Sequence, residues 1–331
     1  MRILVVSSYP PRHCGIGSYT RGHVEQLRRE GHHVTVLSPP DGDGDERSYF
    51  FSGRPFFRAA RTGAEFERII VHFQPALYYR PRAPFAKVLA SLGLAWLCLR
   101  RRQTEVLVHE ADSPNLWRPD YLLLALAFRL APVLLFHTAA ERDALERAYR
   151  VRVRARLVRH TDGILVAGPT GRADARRRLG ILDGETLFVC PGFLHPDKGF
   201  ERAVMAFRDS GGGRLVVLGS VRDESPEKRA YAGRLRALVE TTPGAELLER
   251  FVDAEEFDAW IAAADAVVLP YRRSWSSGAL ARAQVIGTPA IVSDVGGLAE
   301  QAGDRDVVIR TDEELRKTLT AMARPVPEVR A

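Results

Sequence analysis

The sequence predicts an α/β protein with two domains, each built on a parallel β-sheet. Short apolar runs with buried-strand character alternate along the chain with stretches of helical periodicity, as in residues 3–37 and 266–292. The length of 331 residues is enough for two domains of ordinary size, each with its own core.

The first elements predict a βαβ unit. An apolar strand over residues 3–7 is followed by a turn with Gly15 and Gly17 and by a helix over residues 19–29, and we expect no signal peptide in front of them. Two glycines in this turn are weak evidence for a nucleotide site. The next strand ends at Ser38 without the acidic residue that a nicotinamide-dependent dehydrogenase uses to bind ribose, so the pattern disfavours that class.

The rest of the first domain continues the alternation. We predict a strand over residues 67–73, a helix over 85–99, a strand over 106–108, a helix and a strand within 121–136, and a helix over 141–149. The apolar helix over residues 85–99 ends in three arginines. Such a helix can cover the sheet or lie on an anionic bilayer, and we expect mainly the first, with membrane contact as a secondary role.

The end of the first domain is rich in arginine. Residues 147–159 alternate arginine with apolar residues, which predicts an edge strand with one basic face. Residues 160–163 are the predicted hinge, so the domain boundary is expected within residues 160–170.

His109 follows the short strand over residues 106–108, at the end of a strand where open α/β sheets bind ligands. Its imidazole can hydrogen-bond a sugar hydroxyl if a partner orients the other ring nitrogen. A structural histidine beside Glu110 is the alternative, and the residues alone leave both open.

Three alternating acids, Asp41, Asp43 and Asp45, lie in a glycine-rich loop. A calcium loop needs glycine directly after the third acid, where this chain has Glu46. We therefore predict a solvated loop and no metal site.

The second domain repeats the alternation of strands and helices. We predict strands over residues 186–190, 214–219, 266–269 and 290–292, and helices over 200–207, 255–263, 279–285 and 312–322. Lys198 and Gly199 precede one of these helices. Only four of the 48 basic residues are lysines, and a compact ammonium suits a crowded phosphate, so Lys198 is a candidate phosphate ligand.

A small-residue turn, Ser276-Ser277-Gly278, separates a predicted strand from the helix over residues 279–285. Free backbone N–H groups and the positive end of the helix dipole favour an anion there, above all a diphosphate. Gly296 and Gly297 follow the next strand, where glycine lets the backbone approach a ligand closely. Turns of this kind also occur in α/β proteins without a ligand.

The segment PYRRSWSSGALARAQVIGTPAIVSDVGGLAE, residues 270–300, is similar to the donor-binding segment of the family 4 retaining glycosyltransferases. The similarity extends to residues 10–20 and 191–206. It implies the GT-B fold, two facing Rossmann-like domains, with residues 1–165 as the acceptor-side domain and 166–331 as the nucleotide-sugar donor domain. The implied activity is that of a hexosyltransferase. It would move a sugar from a nucleotide-diphosphate sugar to an acceptor, without metal or cofactor and with retention.

The resemblance also implies roles for individual residues. His109 would contact the donor sugar, and His109 and Lys198 are the implied catalytic residues. The other residues expected to bind the donor are Gly15, Gly17, Gly192, Ser276, Ser277, Gly278, Gly296 and Glu300. We expect no protein nucleophile, because Lys198 and backbone amides would stabilise the charge that builds on the departing diphosphate.

Three positions depart from the family pattern. Phe193 stands where an arginine usually joins the lysine in holding the diphosphate, and His195 and Arg272 are the candidate substitutes. Ser274 and Arg282 stand where two glutamates usually contact the donor sugar and the ribose. Neither side chain accepts two hydroxyl hydrogens as a carboxylate does.

These departures leave two alternatives to sugar transfer. One is a GT-B sugar-nucleotide epimerase, for which Glu110 and Asp112 are the nearby acid/base candidates. The other is a sugar-nucleotide-binding protein with impaired catalysis.

Charge is divided unequally along the chain. Residues 1–160 carry 25 Lys and Arg against 15 Asp and Glu, whereas residues 161–331 carry 23 against 26. The first domain therefore predicts an acidic partner, such as an anionic or lipid-linked acceptor or an anionic membrane surface, rather than nucleic acid. Three widely spaced cysteines favour a reduced, cytoplasmic interior, so we expect a cytoplasmic protein, peripheral at the inner face of the membrane.

Overall fold

The computed structural model describes residues 1–12, 14–80, 83–111, 113–168, 171–221 and 225–323. The chain divides into two units, Met1–Leu165 and Val166–Ala331. Each unit is a parallel β-sheet with helices, so the predicted α/β fold class is confirmed.

The first unit alternates strands with helices, as predicted. Its strands are β1 (Arg2–Val6), β2 (His33–Ser38), β3 (Glu46–Arg47), β4 (Arg68–Phe73), β5 (Thr104–Val108), β6 (Val133–Phe136) and β7 (Ala155–Leu157). Its helices are α1 (Gly15–Arg29), α2 (Arg54–Thr62), α3 (Pro75–Tyr78), α4 (Pro84–Arg100), α5 (Pro119–Leu130) and α6 (Ala139–Tyr149).

The sheet of the first unit has the strand order β3-β2-β1-β4-β5-β6-β7, and its paired strands run parallel. Val24 of α1 belongs to the same buried cluster as Ile70 of β4. Phe73 of β4 instead contacts Phe128 of α5, with ring centroids 5.4 Å apart. Because successive strand residues point to opposite faces, α1 and α5 cover opposite faces of the sheet.

The second unit has the same architecture. Its strands are β8 (Leu187–Pro191), β9 (Arg214–Gly219), β10 (Ala245–Glu249), β11 (Ala266–Leu269), β12 (Ala290–Ser293) and β13 (Val307–Ile309). Its helices are α7 (Arg172–Leu179), α8 (Phe200–Arg208), α9 (Pro226–Glu240), α10 (Ala254–Ala263), α11 (Gly278–Ile286), α12 (Leu298–Gln301) and α13 (Asp312–Met322). The strand order is β10-β9-β8-β11-β12-β13, again with parallel pairing.

The central strands are buried on both faces, which explains their continuous apolar sequences. Every residue of β8 and of β11 is buried. None of the helices in the described ranges has the length and apolar content that crossing a bilayer requires.

Two boundaries differ from the sequence prediction by more than two residues. Helix α1 begins at Gly15, four residues before the predicted start, so Gly15 and Gly17 lie in its first turn. The low helix propensity of glycine conceals this start in the sequence. The predicted basic edge strand is reduced to β7, although β7 does lie at the sheet edge. Helix α6 extends to Tyr149, and Arg150, with φ of 52°, ends it.

The predicted hinge is a packed turn of the first unit. His160–Gly163 forms one turn of 3₁₀ helix against α1. A Cβ atom at Gly22 would lie 2.4 Å from the carbonyl oxygen of Gly163, so glycine permits this contact. The division between the units falls after Leu165.

Candidate functional site

Each sheet reverses its strand order at one point, and open α/β sheets bind ligands there, at the carboxyl ends of the strands. In the second unit the reversal lies between β8 and β11. The loop after β8 carries Lys198, and the loop after β11 carries Ser276, Ser277 and Gly278, here called the serine turn. The structure therefore brings the predicted phosphate ligand and the predicted anion-binding turn to the same edge of one sheet.

The loops after β8 and β11 are in direct contact. The N–H of Arg272 donates to the carbonyl of Asp197 at 2.8 Å. Gly199 has a φ of +58°, and a Cβ atom there would lie 2.5 Å from the carbonyl oxygen of Pro270. Only glycine meets both requirements, which explains the glycine that follows Lys198.

The ammonium of Lys198 lies on an aromatic ring beside the serine turn. Its Nζ is 3.8 Å from the ring centroid of Tyr271, and the Tyr271 hydroxyl is 3.5 Å from Oγ of Ser277. Within the described ranges no carboxylate is in ion-pair contact with Lys198, so the ring holds the cation without neutralising it. The arrangement leaves a positive charge available for an anionic group.

The hydroxyl, N–H and carbonyl groups of Ser277 all form hydrogen bonds within the protein. Its hydroxyl accepts from the N–H of Leu280, its N–H donates to Oε1 of Gln301 at 2.8 Å, and its carbonyl accepts from Nε2 of Gln301 at 2.8 Å. Ser277 therefore shapes the turn. The N–H groups of Gly278 and Ala279 open α11 and have no intrahelical acceptor, so they are the donors that the turn can offer to an anion.

The glycine pair after β12 packs against the serine turn. Gly296 has a φ of +56°, and a Cβ atom there would lie 1.8 Å from the carbonyl oxygen of Ser274. The N–H of Gly297 donates to the carbonyl of Trp275 at 2.8 Å. The close approach that Gly296 allows is thus to the protein's own backbone. The Ser274 hydroxyl donates to the carbonyl of Ser276 at 3.0 Å.

Two other predicted donor ligands lie near this edge in different settings. Gly192 directly follows β8 and has a φ of +138°. A Cβ atom at Gly219 of β9 would lie 1.8 Å from the carbonyl oxygen of Gly192. Glu300 lies on α12 and is exposed.

The two candidate substitutes for the missing arginine have other partners. Arg272 forms two hydrogen bonds to the Glu201 carboxylate, of 3.1 and 2.7 Å, which neutralise its charge. Nδ1 of His195 accepts from the N–H of Asp197 at 3.1 Å. Of the three candidate cations Lys198, His195 and Arg272, Lys198 is therefore the one whose positive charge no carboxylate compensates within the described residues.

Arg282, at the second usual glutamate position, is part of a buried ion pair. It contacts the carboxylate of Asp258 in α10, and the two side chains are 12% and 0% exposed. Asp258 also accepts the N–H groups of Ala167 and Gly168, at 2.6 and 3.1 Å. Arg282 thus ties α11 to α10 and to the start of the second unit.

In the first unit the strand order reverses between β1 and β4. Gly15 and Gly17 follow β1 in the first turn of α1, and His109 follows β5, the neighbour of β4. Glu110 accepts a hydrogen bond of 2.9 Å from Gln74. Asp112, the other acid/base candidate, lies outside the described residues.

Five histidines surround the ring of Tyr19, and we call them the histidine cluster. Their ring centroids lie 5.1 to 6.1 Å from the Tyr19 centroid. The members are His23, His72, His109, His137 and His160. Hydrogen bonds join three of them, because Nδ1 of His72 is 3.1 Å from Nε2 of His109 and Nε2 of His72 is 3.3 Å from Nδ1 of His23.

The neighbours of His72 determine where its proton lies. With its hydroxyl hydrogen on the carbonyl of Ile16, Thr20 accepts from Oγ of Ser7 at 2.6 Å and from Nδ1 of His72 at 3.2 Å. The proton of neutral His72 is then on Nδ1, and Nε2 of His109 must accept. Neutral His109 consequently carries its own proton on Nδ1, which makes that nitrogen a hydrogen-bond donor.

Burial keeps these rings neutral. It is the main cause that lowers the pKa of His23 and of His137 to about 4, and nearby Arg68 contributes to the lowered pKa of His23. Burial first, and neighbouring histidines second, lower the pKa values of His72, His109 and His160 well below the ordinary value.

The three acids of the glycine-rich loop each meet a different arginine. Asp41 pairs with Arg12 at 3.6 Å, Asp43 with Arg47 at 3.1 Å, and Asp45 with Arg28 at 3.4 Å. The absence of a metal site remains a prediction.

Sequence reasoning missed Tyr271, Gln301 and the histidine cluster. Tyr271 directly follows β11 and its loop proline, so its place at the strand end was a usable signal. His109 and His137 directly follow adjacent strands β5 and β6, and His72 lies in β4, which also predicted their proximity. Nothing in the sequence pattern indicates the contact between Gln301 and Ser277.

Sequence comparison with known families matches both halves of the chain. Residues 14–198 match the family described as Glycosyltransferase Family 4, and residues 185–324 match the family described as Glycosyl transferases group 1. No curated protein matches the chain significantly.

Many solved structures share the fold. Sucrose-phosphate synthase from Thermosynechococcus elongatus has a TM-score of 0.69 at 18% identity, over 97% of this chain and 89% of that one. HepE from Anabaena, in complex with UDP-glucose, has a TM-score of 0.64 at 14% identity, over 97% and 89% of the two chains. The catalytic domain of starch synthase IV from Arabidopsis thaliana, bound to ADP and acarbose, has a TM-score of 0.67 at 14% identity, over 97% and 90%. At these identities the likeness establishes the GT-B fold alone.

Proposed function

The chain belongs to Glycosyltransferase Family 4, and we propose that it transfers a hexosyl group from a nucleotide-diphosphate sugar to an acceptor, without metal and with retention. The observation that carries the proposal is the uncompensated ammonium of Lys198 over the Tyr271 ring, next to the serine turn at the strand-order reversal of the second unit. Such a place suits a diphosphate.

The proposed chemistry is electrostatic. As the bond between the sugar and the diphosphate breaks, negative charge builds on the leaving group. Lys198 and the N–H groups that open α11 at Gly278 would stabilise that charge. In the first unit, the Nδ1–H of His109 would donate to a sugar hydroxyl, and the turn with Gly15 and Gly17 would bind the donor as well.

The acceptor proposed is anionic or lipid-linked. The excess of basic over acidic residues within residues 1–160 supports an acidic partner for the first unit. We also propose a cytoplasmic location that is peripheral at the inner face of the membrane.

A sugar-nucleotide-binding protein with impaired turnover is the second candidate. One observation favours it, namely that Arg282 is held by Asp258 and the Ser274 hydroxyl by the carbonyl of Ser276, so neither replaces the usual glutamates. The epimerase alternative loses support, because Glu110 is an exposed residue bonded to Gln74.

The test incubates the purified protein with UDP-, GDP- and dTDP-sugars, with UDP-glucose first because HepE binds it. Transfer or slow donor hydrolysis is the expected result. An epimeric sugar nucleotide would instead indicate the epimerase, and saturable binding without product the binding protein. If no nucleotide raises the melting temperature and no product forms, the diphosphate site is refuted.

Replacing Lys198 with alanine is expected to weaken nucleoside-diphosphate binding by about 10- to 100-fold, since a hydrogen bond to a charged group contributes roughly 1.5–3 kcal/mol. Turnover should fall by about 100-fold or more because the ammonium acts on developing charge. Calorimetry and initial rates measure the two effects. Lys317→Ala, an exposed lysine on α13, is the matched control and should change neither. Equal affinity of Lys198→Ala and the wild type would contradict the assignment.

A further inference from the structure

Three helices of the first unit form an exposed surface that is apolar and basic at once. Helix α4 packs between α2 and α5. Its solvent side presents apolar residues at helical spacing, among them Phe85, Leu92, Trp96 and Leu99, of which Phe85 is 75% and Trp96 48% exposed. A helix that is apolar on all sides normally lies in a core or against lipid. Among the residues that the structure describes, none covers the exposed face of α4.

Helix α5 extends the apolar area. Leu122 and Leu126, one turn apart, are both about half exposed, and Trp117 just before the helix is 95% exposed. Single exposed apolar side chains are ordinary, but a contiguous area on two neighbouring helices marks an interaction surface.

A cationic cavity lies at the α2 side of this area. Its volume is about 540 Å³, and it is lined by Arg54, Arg58, Arg61 and Arg100 together with Phe57 and Trp96. Arg58 is paired with Glu46 at 2.8 Å. In the part of the chain that the structure describes, no carboxylate is in ion-pair contact with the other three arginines. The cavity therefore combines uncompensated guanidinium groups with aromatic walls.

We propose that the surface of α2, α4 and α5 docks onto an anionic phospholipid bilayer. Phe85, Trp96 and Leu122 enter the boundary between headgroups and acyl chains, where aromatic and aliphatic side chains are favoured. The arginines of the cavity bind a lipid phosphate, which guanidinium recognises well. The proposal deepens the peripheral location proposed above by assigning the surface that makes the contact.

Charge complementarity favours an anionic bilayer over a second copy of the chain as the partner of this surface. A two-fold interface pairs a patch with itself, so a second copy would bring a surface of the same positive sign to Arg54, Arg61 and Arg100. An anionic bilayer is complementary to the patch. Each basic residue near such a surface contributes roughly 1 kcal/mol.

The test is co-sedimentation of the wild-type chain with vesicles of phosphatidylcholine alone and of phosphatidylcholine mixed with phosphatidylglycerol. Binding only to the mixed vesicles, weakened by salt, is expected. Arg61→Glu should weaken it by about 10-fold or more, because reversal removes one attraction of roughly 1 kcal/mol and adds a repulsion of similar size. The matched control is Arg29→Glu on α1, which covers the opposite face of the sheet and should change binding less than about twofold.

A second pair of variants tests the apolar side chains of the docking surface. Trp96→Ser should weaken binding to the mixed vesicles severalfold, while Leu182→Ser, a similarly exposed site in the second unit, should not. Circular dichroism confirms that each variant is folded. No sugar donor is present, so the docking surface and the transfer activity can fail independently.

Several results would overturn the docking surface. Equal binding to both vesicle types, or equal effects of Arg61→Glu and Arg29→Glu, would remove the assignment. Full competition by glycerol phosphate without an effect of Trp96→Ser would indicate a site for a free anion. A concentration-dependent dimer that Trp96→Ser abolishes, with no vesicle binding, would identify a second copy as the occupant.

Discussion

Asp258→Ala is expected to lower the free energy of unfolding of the second unit by about 3–5 kcal/mol, the usual cost of removing one partner of a buried ion pair. The substitution leaves the guanidinium of Arg282 buried and unpaired, and it removes the acceptor of two backbone N–H groups, at Ala167 and Gly168. Trp260, on the same helix as Asp258, reports the transition by fluorescence during urea denaturation.

Asp253→Ala is the matched control for Asp258→Ala. Asp253 caps the same helix by accepting from the N–H of Glu256 at 2.8 Å, and its loss should cost only about 1 kcal/mol. Arg282→Met should cost less than Asp258→Ala, because Asp258 keeps the hydrogen bonds from its two N–H donors. If all three variants unfold at the same urea concentration, the ion pair does not stabilise the second unit.

Lowering the pH from about 7 to 4.5 is expected to destabilise the first unit strongly, because the histidine cluster must be neutral to stay buried. The folded pKa values of His23 and His137, about 4, lie below the ordinary value of 6.5. A depressed histidine pKa stabilises the fold fully above pH 6.5, and this stability is lost as the pH falls from 6.5 towards 4. For one such ring the shift corresponds to at most roughly 3 kcal/mol.

Thermal unfolding followed by circular dichroism across this pH range measures the effect. His23→Gln should reduce the pH dependence, because the amide can still donate to Nε2 of His72 but does not titrate. His33→Gln, at an exposed position of β2, is the control and should leave the curve unchanged. A melting temperature that is the same at pH 7 and 4.5 would mean that the cluster accepts protons without opening.

Much of the fold follows from periodicity in the sequence. The boundaries of β9 are as predicted, because it is an apolar run that ends at a glycine. The early start of α1 was missed because its first turn contains two glycines, which normally argue against a helix. The predicted strand over residues 147–159 was too long, because alternating arginines have period two whether or not a neighbouring strand is there to pair with them.

The candidate site could be predicted in part. The strand ends that carry Lys198 and the serine turn were predictable, because parallel strands deliver their loops to one edge. The engagement of Arg282 was not, since Asp258 is 24 positions away and pairing at that separation depends on helix packing. The same holds for His23 and His72, 49 positions apart, which meet only once α1 lies on the sheet.

The bracing of the serine turn by Gln301 has an electrostatic consequence. An amide side chain is uncharged and bonds in both directions, so it holds the N–H and the carbonyl of Ser277 together. A carboxylate there would satisfy the N–H, repel the carbonyl and set a negative charge beside the opening of α11. The side chain that supports the turn is therefore held in place by two hydrogen bonds and carries no charge that would repel an incoming polyanion.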